Sequence, residues 1–514
     1  MSSVNPIIAG FAPDPSVVKV GEWFFLINSS FHLFPGLPIY ASQDLISWRH
    51  IGNAINRQSQ LSLSKSQTEL HPLPETGEIL VAAGGLYAPT IRYHDGIFYV
   101  VCTNVVRTAT GDSSQNFVIS TEDIWADNWS DPVYFEFNGI DPSLLFDDDG
   151  KTYVQGSAAP GPFTTINMFE IDLNTGRKLS EERTIWRGTG GIYPEGPHLY
   201  KRNGYYYLLI AEGGTHEGHM VTMARSRNIW GPYEGCPHNP ILTARGTDEY
   251  IQYTGHCDIF QDDKQQWWCT CLGVRKDQDG RYIMGRETFL TRASWDGDWL
   301  TLEQVKLTPS GLRSNDEGKK LIANHGVDYV YIRNANLSNY TLPNSTDSNL
   351  ALTASPDDLS HPELSPSFIG KRQRQLDGWS GVELRAVQAT WSAAKLRAGM
   401  ACYKDEHRFL RIYYDAAELA IVVDIINKPK DISRQERQTL ERLPESVAFR
   451  MQYSEQEYRL FYTVGQDAER NWLCVSTIDT LDLTGPDFTG PVIGVFAVAE
   501  TADTAVQFRN LVVC

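Results

Sequence analysis

One sequence unit recurs five times in the N-terminal part of the chain, and this repetition is the strongest constraint on its fold. Each copy begins with a short segment, usually containing proline, and continues as an alternating strand, a turn and a second apolar strand. The copies begin at Asp14, Ala88, Asp141, Glu195 and His256. A strand-rich unit repeated at intervals of roughly 50–75 residues is typical of β-propeller blades. The sequence therefore predicts a five-bladed propeller whose leading residues meet at a central channel.

The fourth copy shows the unit most clearly. Its two strands are separated by Asn203-Gly204, and the second strand is the apolar run 205–210. Asn-Gly between two such segments is the strongest short-range signal for a β-hairpin. Pro194 precedes Glu195 directly and a Gly-Pro pair follows it, so we expect the carboxylate to be held in a fixed position at the open end of the hairpin.

The pattern changes after the fifth copy. Residues 308–320 are polar and contain glycine, serine and proline, which indicates a linker. Beyond about residue 325, alternating segments separated by turns are typical of a β-sandwich. These segments are 381–387, 409–414, 419–423, 447–451, 458–462 and 505–514. We predict an all-β protein with a five-bladed β-propeller at 1–310 and a C-terminal, jelly-roll-like β-sandwich at 325–514. The irregular insertion at 53–86 is expected to border the channel mouth.

Composition excludes several classes of partner. The net charge is -18 and the isoelectric point is about 5.1, so no basic field attracts nucleic acid or an anionic membrane. No apolar run of about 18 residues predicts a membrane span. The eight cysteines contain no Cys-x-x-Cys pair, so no zinc site is expected. The first residues lack the apolar core of a signal peptide, and the location stays open between the cytoplasm and secretion of a processed form.

Three of the five unit starts carry a carboxylate, namely Asp14, Asp141 and Glu195. If these side chains converge on one end of the channel, their like charges raise the pKa of at least one of them. A neutral acid beside an ionised carboxylate is the arrangement that glycoside hydrolysis uses. Carboxyl groups about 6.5–9.5 Å apart, with water between them, give inversion, and carboxylates on different blades suit that distance. Two adjacent carboxylates on one strand would suit retention instead.

Several short motifs spread over nearly the whole chain occur together. They are Asn5-Pro6-Ile7, Ala12-Pro13-Asp14-Pro15-Ser16, Gly139-Ile140-Asp141-Pro142-Ser143, Pro194-Glu195-Gly196-Pro197, Gly255-His256-Cys257-Asp258 and Gly285-Arg286-Glu287-Thr288-Phe289. Their combination resembles glycoside hydrolase family 43, the β-xylosidases and α-L-arabinofuranosidases that act on plant xylan. The resemblance implies a five-bladed propeller, often followed by a C-terminal β-sandwich, and hydrolysis with inversion of configuration.

The resemblance also implies a role for each polar candidate. Asp14 is then the general base, Glu195 the general acid, and Asp141 the group that orients Glu195 and raises its pKa. Arg286 resembles the family's substrate-contacting arginine, with an ion pair inside the blade as the alternative. His256 resembles the family's channel histidine, close to a bound calcium ion or water, and a hydrogen-bonded core histidine is an equal alternative. The chemistry itself requires no cofactor, and a structural calcium is the one metal that the resemblance suggests.

Three further residues are candidates for the walls of a sugar pocket, namely Phe31, Tyr87 and Ile140. Plain core packing is the alternative for each of them. Many family members begin the second blade with Trp-Ala-Pro, whereas this chain has Tyr87-Ala88-Pro89. Tyrosine keeps an aromatic face for stacking but adds a hydroxyl group, so this departure leaves the sugar preference open.

We therefore predict an exo-acting, inverting glycoside hydrolase that releases a terminal pentose from xylan-derived oligosaccharides. The pentose is β-D-xylose or α-L-arabinofuranose, and the expected partners are xylo-oligosaccharides or arabinoxylan, with no nucleic acid and no membrane. One alternative is an α-L-arabinofuranosidase that removes side chains from arabinoxylan. The alternative from another class is a non-catalytic carbohydrate-binding propeller, but binding alone does not call for an acid–base pair.

Overall fold

The computed structural model describes residues 3–73, 76–159, 161–312, 321–344, 347–465, 471–501 and 504–514 of the chain. Its contacts divide the chain into two compact units. The first unit consists of Met1–Lys65, Gly84–Lys276 and Arg286–Val327, and the second of Ser66–Ala83, Asp277–Gly285 and Asp328–Cys514. Strands dominate both units, as predicted. The helices in the described ranges are short 3-10 turns at Leu337–Asn339, Ala389–Ser392, Lys428–Lys430 and Thr480–Asp482.

The first unit contains five sheets that follow one another along the chain. Sheet one consists of Ser16–Val20, Trp23–Ile27, Gly36–Ser42 and Trp48–Ile55, with Leu321–Ala323 added in parallel. Sheet two consists of Gly85–His94, Ile97–Thr108, Gly111–Thr121 and Val133–Phe135. Sheet three consists of Gly139–Phe146, Thr152–Ala158, Thr165–Asp172, Arg177–Lys178 and Arg183–Trp186. Sheet four consists of Glu195–Arg202, Tyr205–Glu212, Met220–Ser226, Glu234–Gly235 and Leu242–Thr243. Sheet five consists of Ile251–Gln261, Trp267–Arg275, Glu287–Ser294 and Thr301–Leu302.

The first strands of these five sheets form a closed ring. Each contacts the first strand of the next sheet, and the first strand of sheet five contacts that of sheet one. The N-terminal segment fastens the closure, because the backbones of Ile8 and Thr288 exchange two hydrogen bonds of 3.1 and 3.3 Å. The Asn5 amide adds hydrogen bonds to both the carbonyl oxygen and the N–H of Leu290. The five-bladed propeller is therefore confirmed, with the first strand of each blade innermost.

The turn chemistry read from the sequence explains the inner hairpins. Asn203 and Gly204 have φ values of 50° and 75°, the left-handed pair that a type I′ turn requires. Asp95 and Gly96 do the same in blade two, with φ values of 48° and 86°. Such turns match the twist of the flanking strands, so each blade presents its innermost strand in a defined register.

Apolar side chains fill the space between neighbouring blades. Phe24 of blade one lies edge-on to Phe260 of blade five, with ring centroids 5.4 Å apart. Tyr40, Trp48 and Trp268 are buried in the same cluster. Burying a side chain of this size contributes about 1.5–3 kcal/mol, so the interfaces between blades give the ring a rigid frame.

The second unit is built on two antiparallel sheets. In order, the larger sheet consists of Tyr340–Thr341, Asn349–Thr353, Ala505–Val512, Gly378–Arg385, Val447–Tyr453, Glu457–Val464 and Leu473–Asp479. The smaller sheet consists of Phe368–Arg372, Val492–Val498, Arg397–Asp405, Arg408–Asp415, Ala420–Asn427 and Ile432–Thr439. Strands of the two sheets contact one another, and Leu384 and Phe449 on one sheet are buried like Ile412 and Val423 on the other. This confirms the predicted sandwich.

The remaining strands are short. They are Leu33–Phe34 in the first unit and Glu69–Pro72, Ile79–Ala82 and Tyr331–Ile332 in the second. Among the residues that the structure describes, none of the helices has the length and apolarity needed to cross a membrane.

The chain division differs from a single cut between 310 and 325. Two segments from within the propeller sequence, Ser66–Ala83 and Asp277–Gly285, group with the second unit. The first of them takes most of the insertion at 53–86, which was expected to border the channel mouth. These two segments group with the second unit because they contact residues far away in the sequence, and local sequence does not reveal such contacts. The predicted linker at 308–320 lies largely outside the described residues.

Buried polar contacts hold the segment Ser66–Ala83 in the second unit. The N–H of Thr68 donates to Oε1 of Glu406 over 2.6 Å, and its hydroxyl donates to Oε2 over 3.0 Å. Glu406 also forms a 2.7 Å ion pair with Arg333, and both side chains are fully buried. Removing one partner of such a pair leaves an uncompensated buried charge, so the contact specifies where this segment folds.

Candidate active site

The blade starts share an unusual backbone conformation. The φ values of Asp14, Ala88, Asp141, Gly196 and His256 are 53°, 37°, 56°, 54° and 49°. In blades two to five a break in strand register, a β-bulge, accompanies this residue. Left-handed backbone costs a residue with a Cβ atom about 1–2 kcal/mol, and bulges often redirect side chains beside active sites. The fold therefore repeats one strained corner at the same end of every innermost strand.

Glu195 is not equivalent to the other blade starts, and the sequence alignment of the repeats was wrong at this point. Gly196 occupies the left-handed corner, and Glu195 lies one residue earlier, where blades two and three have Tyr87 and Ile140. Glycine suits this corner, because a Cβ atom on Gly196 would lie only 3.0 Å from the His256 ring and would force that ring to shift. Aligning the repeats on their acidic residues places Glu195 at the corner. Aligning them on the proline that follows the corner residue in blades one to four gives the correct register. The acid thus approaches the channel from a different position than the two aspartates.

Asp14 is buried and surrounded by hydrogen-bond donors and positive charge. The hydroxyl of Ser29 donates to its Oδ2 over 2.6 Å, and Nη1 of Arg286 donates to its Oδ1 over 3.3 Å. Nδ1 of His256 lies 3.9 Å from the same Oδ1. Burial alone would raise the pKa of Asp14, but Arg286, His256 and the Ser29 hydrogen bond outweigh it and hold the pKa below its ordinary value. Asp14 is therefore an ionised carboxylate at neutral pH.

Asp141 and Glu195 show the opposite behaviour. Burial raises the pKa of Asp141 to about 6, although the N–H of Gly196 donates to its Oδ2 over 3.0 Å. Burial also raises the pKa of Glu195 well above its ordinary value, and the nearby carboxylates of Asp141 and Asp14 raise it further against the opposing charge of Arg286. Glu195 stays partly exposed, and the like charges act in the same direction as burial. The surroundings thus raise the pKa of Glu195 and lower that of Asp14, which lies on another blade.

Ser29 is a site residue that the sequence reasoning missed. Its hydroxyl oxygen accepts a 2.6 Å hydrogen bond from the N–H of Ala88 while the hydroxyl donates to Asp14. Since Ser16 pairs with Ile27, the register of the first hairpin places Ser29 opposite Asp14. Pairing the residues of the two strands outward from the hairpin turn would therefore identify Ser29 from the sequence.

Thr215 is a second site residue that the sequence does not predict, and it binds Arg286. Its Nη1 donates to the hydroxyl of Thr215 over 2.8 Å, and its guanidinium carbon lies 5.5 Å from the centroid of the Phe31 ring. Thr215 lies in a loop between two strands of blade four and belongs to no recognisable motif. Arg286 contacts Asp14, Thr215 and Phe31. Its ion pair with Asp14 joins blades five and one and does not lie inside one blade, and contact with substrate stays a prediction.

The three predicted wall residues differ in exposure. Phe31 is buried, and its ring centroid lies 5.9 Å from that of Phe11 and 4.9 Å from that of Tyr87. Tyr87 and Ile140 are partly exposed, and Ile140 immediately precedes Asp141. Phe31 therefore packs against Arg286 and Tyr87. Contact with a sugar stays a prediction for Phe31, Tyr87 and Ile140.

A second polar layer lies two to four residues further along the innermost strands. Asp258 accepts hydrogen bonds from Ser16 over 2.7 Å, from Arg92 over 2.8 Å and from Tyr200 over 2.6 Å. Burial would raise the pKa of Asp258, but the charge of Arg92 and these donors hold it far below its ordinary value. These residues come from blades one, two, four and five. Asp258 therefore ties the blades together beneath the acid–base groups.

The calcium ion suggested beside His256 stays a prediction. Within the described ranges, no three His, Cys, Asp or Glu side chains come together as a metal-binding group. The carboxylate nearest to His256 in the ion-pair contacts is Asp14, whose Oδ1 already faces Arg286. Calcium takes six to eight oxygen ligands, so a calcium ion here would also need carbonyl or water oxygens beside Asp14.

The sequence matches two family models. Residues 3–300 match the model described as glycosyl hydrolases family 43, and residues 323–511 match that of the β-xylosidase C-terminal concanavalin A-like domain. Among solved structures, the Bacteroides ovatus xyloglucan PUL GH43B superposes with a TM-score of 0.84 at 30% identity, covering 100% of both chains. The xylan β-1,4-xylosidase of Bacillus halodurans C-125 superposes with a TM-score of 0.86 at 26% identity, covering 99% of both chains.

Curated relatives agree with these matches. The chain is 37% identical over 389 residues to the non-reducing end α-L-arabinofuranosidase BoGH43B of Bacteroides ovatus, which covers 72% of this chain and 68% of that protein. It is 42% identical over 309 residues to a xylosidase/arabinosidase of Butyrivibrio fibrisolvens, which covers 57% of this chain and 55% of that protein. The family model spans more than half of the chain. The matched range includes Asp14, Asp141, Glu195, His256 and Arg286. With this family model over more than half of its length and this propeller, the chain belongs to glycoside hydrolase family 43.

Proposed function

We propose that the protein is an exo-acting, inverting glycosidase that releases a terminal pentose from xylan-derived oligosaccharides, with β-D-xylose as the first candidate sugar. The observation that carries this proposal is that the surroundings shift the pKa values of Asp14 and Glu195 in opposite directions. Asp14, on blade one, is an ionised base, and Glu195, on blade four, is a neutral acid. A binding module has no use for such a pair.

The proposed reaction is a single displacement. The Asp14 carboxylate takes a proton from a water molecule as the water oxygen attacks the anomeric carbon. The bond from that carbon to the glycosidic oxygen breaks, and Glu195 gives its proton to the departing oxygen. Water is thereby divided between the two products, and proton exchange with solvent restores both carboxyl groups. The chemistry needs no cofactor in this scheme.

Asp141 keeps the acid protonated. Its negative charge disfavours a second charge on Glu195, and its hydrogen bond with the N–H of Gly196 fixes it beside the residue that follows the acid. Arg286 opposes this effect at Glu195 but favours ionisation of Asp14. One guanidinium and one carboxylate together separate the pKa values of the base and the acid.

We expect Asp141→Asn to shift the alkaline limb of the pH profile of kcat/KM to lower pH. The limb reports loss of the Glu195 proton, and the charge of Asp141 adds to burial in raising the pKa at which that proton is lost. The acid limb, which reports ionisation of Asp14, should move less. The measurement is a pH–rate profile of mutant and wild type on one substrate, with near-identical thermal unfolding as the control for folding. An unmoved alkaline limb would mean that Asp141 serves geometry or sugar binding only.

An α-L-arabinofuranosidase acting on arabinoxylan side chains is the second candidate. The likeness to BoGH43B of Bacteroides ovatus, whose name gives that activity, favours it. Tyr87 adds a hydroxyl group next to Phe31, where a hydrogen bond to a furanose or a pyranose is chemically possible. Both sugars present similar atoms to one pocket, so the choice requires a direct comparison.

The test is a hydrolysis panel of xylobiose, xylotriose, an aryl α-L-arabinofuranoside and arabinose-substituted xylo-oligosaccharides. We expect xylose release from the non-reducing end to have the highest kcat/KM. Proton NMR during the first turnovers of xylobiose should show α-xylose, the product of inversion. First-formed β-xylose would reject the single displacement, and exclusive release of arabinose would select the second candidate.

A further inference from the structure

Three apolar side chains close to Glu195 are exposed. Phe163 is 86% exposed, more than any other large apolar side chain in the described ranges. Ile192 and Tyr193, just before Glu195 in the chain, are each 37% exposed. Single exposed apolar residues are common on protein surfaces, but three of them on two joined loops beside an acid are a local cluster.

Hydrogen bonds join the two loops that carry these residues. The N–H of Tyr193 donates to the carbonyl oxygen of Pro162 over 2.8 Å. The carbonyl oxygen of Pro194 accepts from the hydroxyl of Ser157 over 2.7 Å and from that of Thr164 over 2.8 Å. Hydrogen bonds therefore hold the segment that carries Phe163 against the peptide that immediately precedes Glu195.

Tyr193 connects this surface to the other side of the site. A Cβ atom added to Gly214 would lie 3.5 Å from Cδ2 of Tyr193, and Gly214 precedes Thr215, which binds Arg286. Burial and the charge of Glu195 both raise the pKa of the Tyr193 hydroxyl, in agreement with its place beside the acid. Tyr193 has a φ of 53°, a strained conformation of the kind that persists in proteins mainly at functional sites.

The position of Glu195 decides which part of the substrate meets this surface. The acid protonates the oxygen that joins the terminal pentose to the next sugar, so the next sugar must lie on the side of Glu195. Aromatic rings bind the C–H faces of sugars by apolar contact, and they need no charged partner to do so. We propose that Phe163, Ile192 and Tyr193 form the binding surface for the leaving-group sugar of a xylo-oligosaccharide. This inference rests on the proposed function and adds the residues that favour an oligosaccharide over a small leaving group.

The experiment compares Phe163→Ala and Tyr193→Ala with wild type on xylobiose and on β-D-xylosyl fluoride. Fluoride has no leaving-group sugar, so only xylobiose can use the surface. Each substitution should lower kcat/KM for xylobiose about 3- to 10-fold more than for the fluoride, the range expected for one lost aromatic contact. Tyr193→Phe keeps the ring and should stay close to wild type on both compounds.

The control is Tyr134→Ala, which removes an aromatic side chain that is 47% exposed on the outermost strand of blade two. It should change neither substrate selectively. Equal losses on xylobiose and fluoride in both alanine variants, with unchanged thermal unfolding, would overturn the inference while leaving the proposed function intact. A wild-type protein that hydrolyses neither compound would overturn the proposed function and the inference with it.

Discussion

Replacing Asp14 by alanine is expected to lower kcat by about 10²–10⁴-fold on every substrate, the range that general acid–base catalysis supplies. Water must be deprotonated whatever the leaving group, so activated aryl glycosides should not escape the loss. Azide is an anion that needs no deprotonation, and it should restore turnover of an activated aryl xyloside and form the glycosyl azide of inverted configuration. Initial rates with and without azide, and NMR of the product, measure both effects.

Two controls separate loss of the base from loss of structure. Asp263→Ala removes an exposed carboxylate of blade five that pairs with Lys19, and it should leave kcat unchanged. Asp14→Ala leaves Arg286 with its Thr215 contact, and thermal unfolding reports whether that contact suffices to keep the site folded. A folded Asp14→Ala variant with wild-type kcat would show that another group activates water.

Glu195→Ala is expected to lower kcat/KM for xylobiose by about 10²–10⁴-fold, and to have a much smaller effect on 2,4-dinitrophenyl xyloside. A sugar alkoxide is a poor leaving group and needs the proton of Glu195, whereas dinitrophenolate leaves without it. The alkaline limb of the pH profile should also disappear with the group that produces it. The measurement is kcat/KM for a series of aryl xylosides of graded leaving-group acidity beside xylobiose.

Glu234→Ala is the matched control for this variant. Glu234 lies on the same blade, and its side chain is 64% exposed and pairs with Arg225. Its removal should not change the dependence of rate on the leaving group. Equal losses of Glu195→Ala on sugar and dinitrophenyl leaving groups would assign the proton donor elsewhere.

Much of the fold could be predicted because it depends on local sequence. Asn203-Gly204 dictates a type I′ turn by backbone sterics alone, and the apolar alternation beside it dictates a strand. Five such hairpins in series leave few alternatives to a propeller. The convergence of Asp14 and Asp141 followed from the same repetition, because equivalent positions of equivalent blades meet at one channel.

The parts that could not be predicted depend on contacts between distant residues. Gly196 is the true counterpart of the two aspartates. Glycine has no functional group that would single it out in the sequence, so the repeat pattern predicts the neighbouring Glu195 at this position instead. Thr215 reaches Arg286 from a loop without a motif. The pairing of Thr68 with Glu406 cannot be read from local composition. A buried acid needs a polar partner, but the residues around it in the sequence do not indicate which distant residue that partner is.

That last pairing has a consequence for the order of events during synthesis. Thr68 and Glu406 are 338 residues apart. At a translation rate of about 5–20 residues per second, Thr68 leaves the ribosome roughly 17–70 s before Glu406 does. Thr68, next to the hairpin of Glu69–Pro72 and Ile79–Ala82, therefore lacks its buried partner on the nascent chain until Glu406 has been synthesised. The speed of the ribosome over those 338 residues sets how long an early part of the protein stays unfinished.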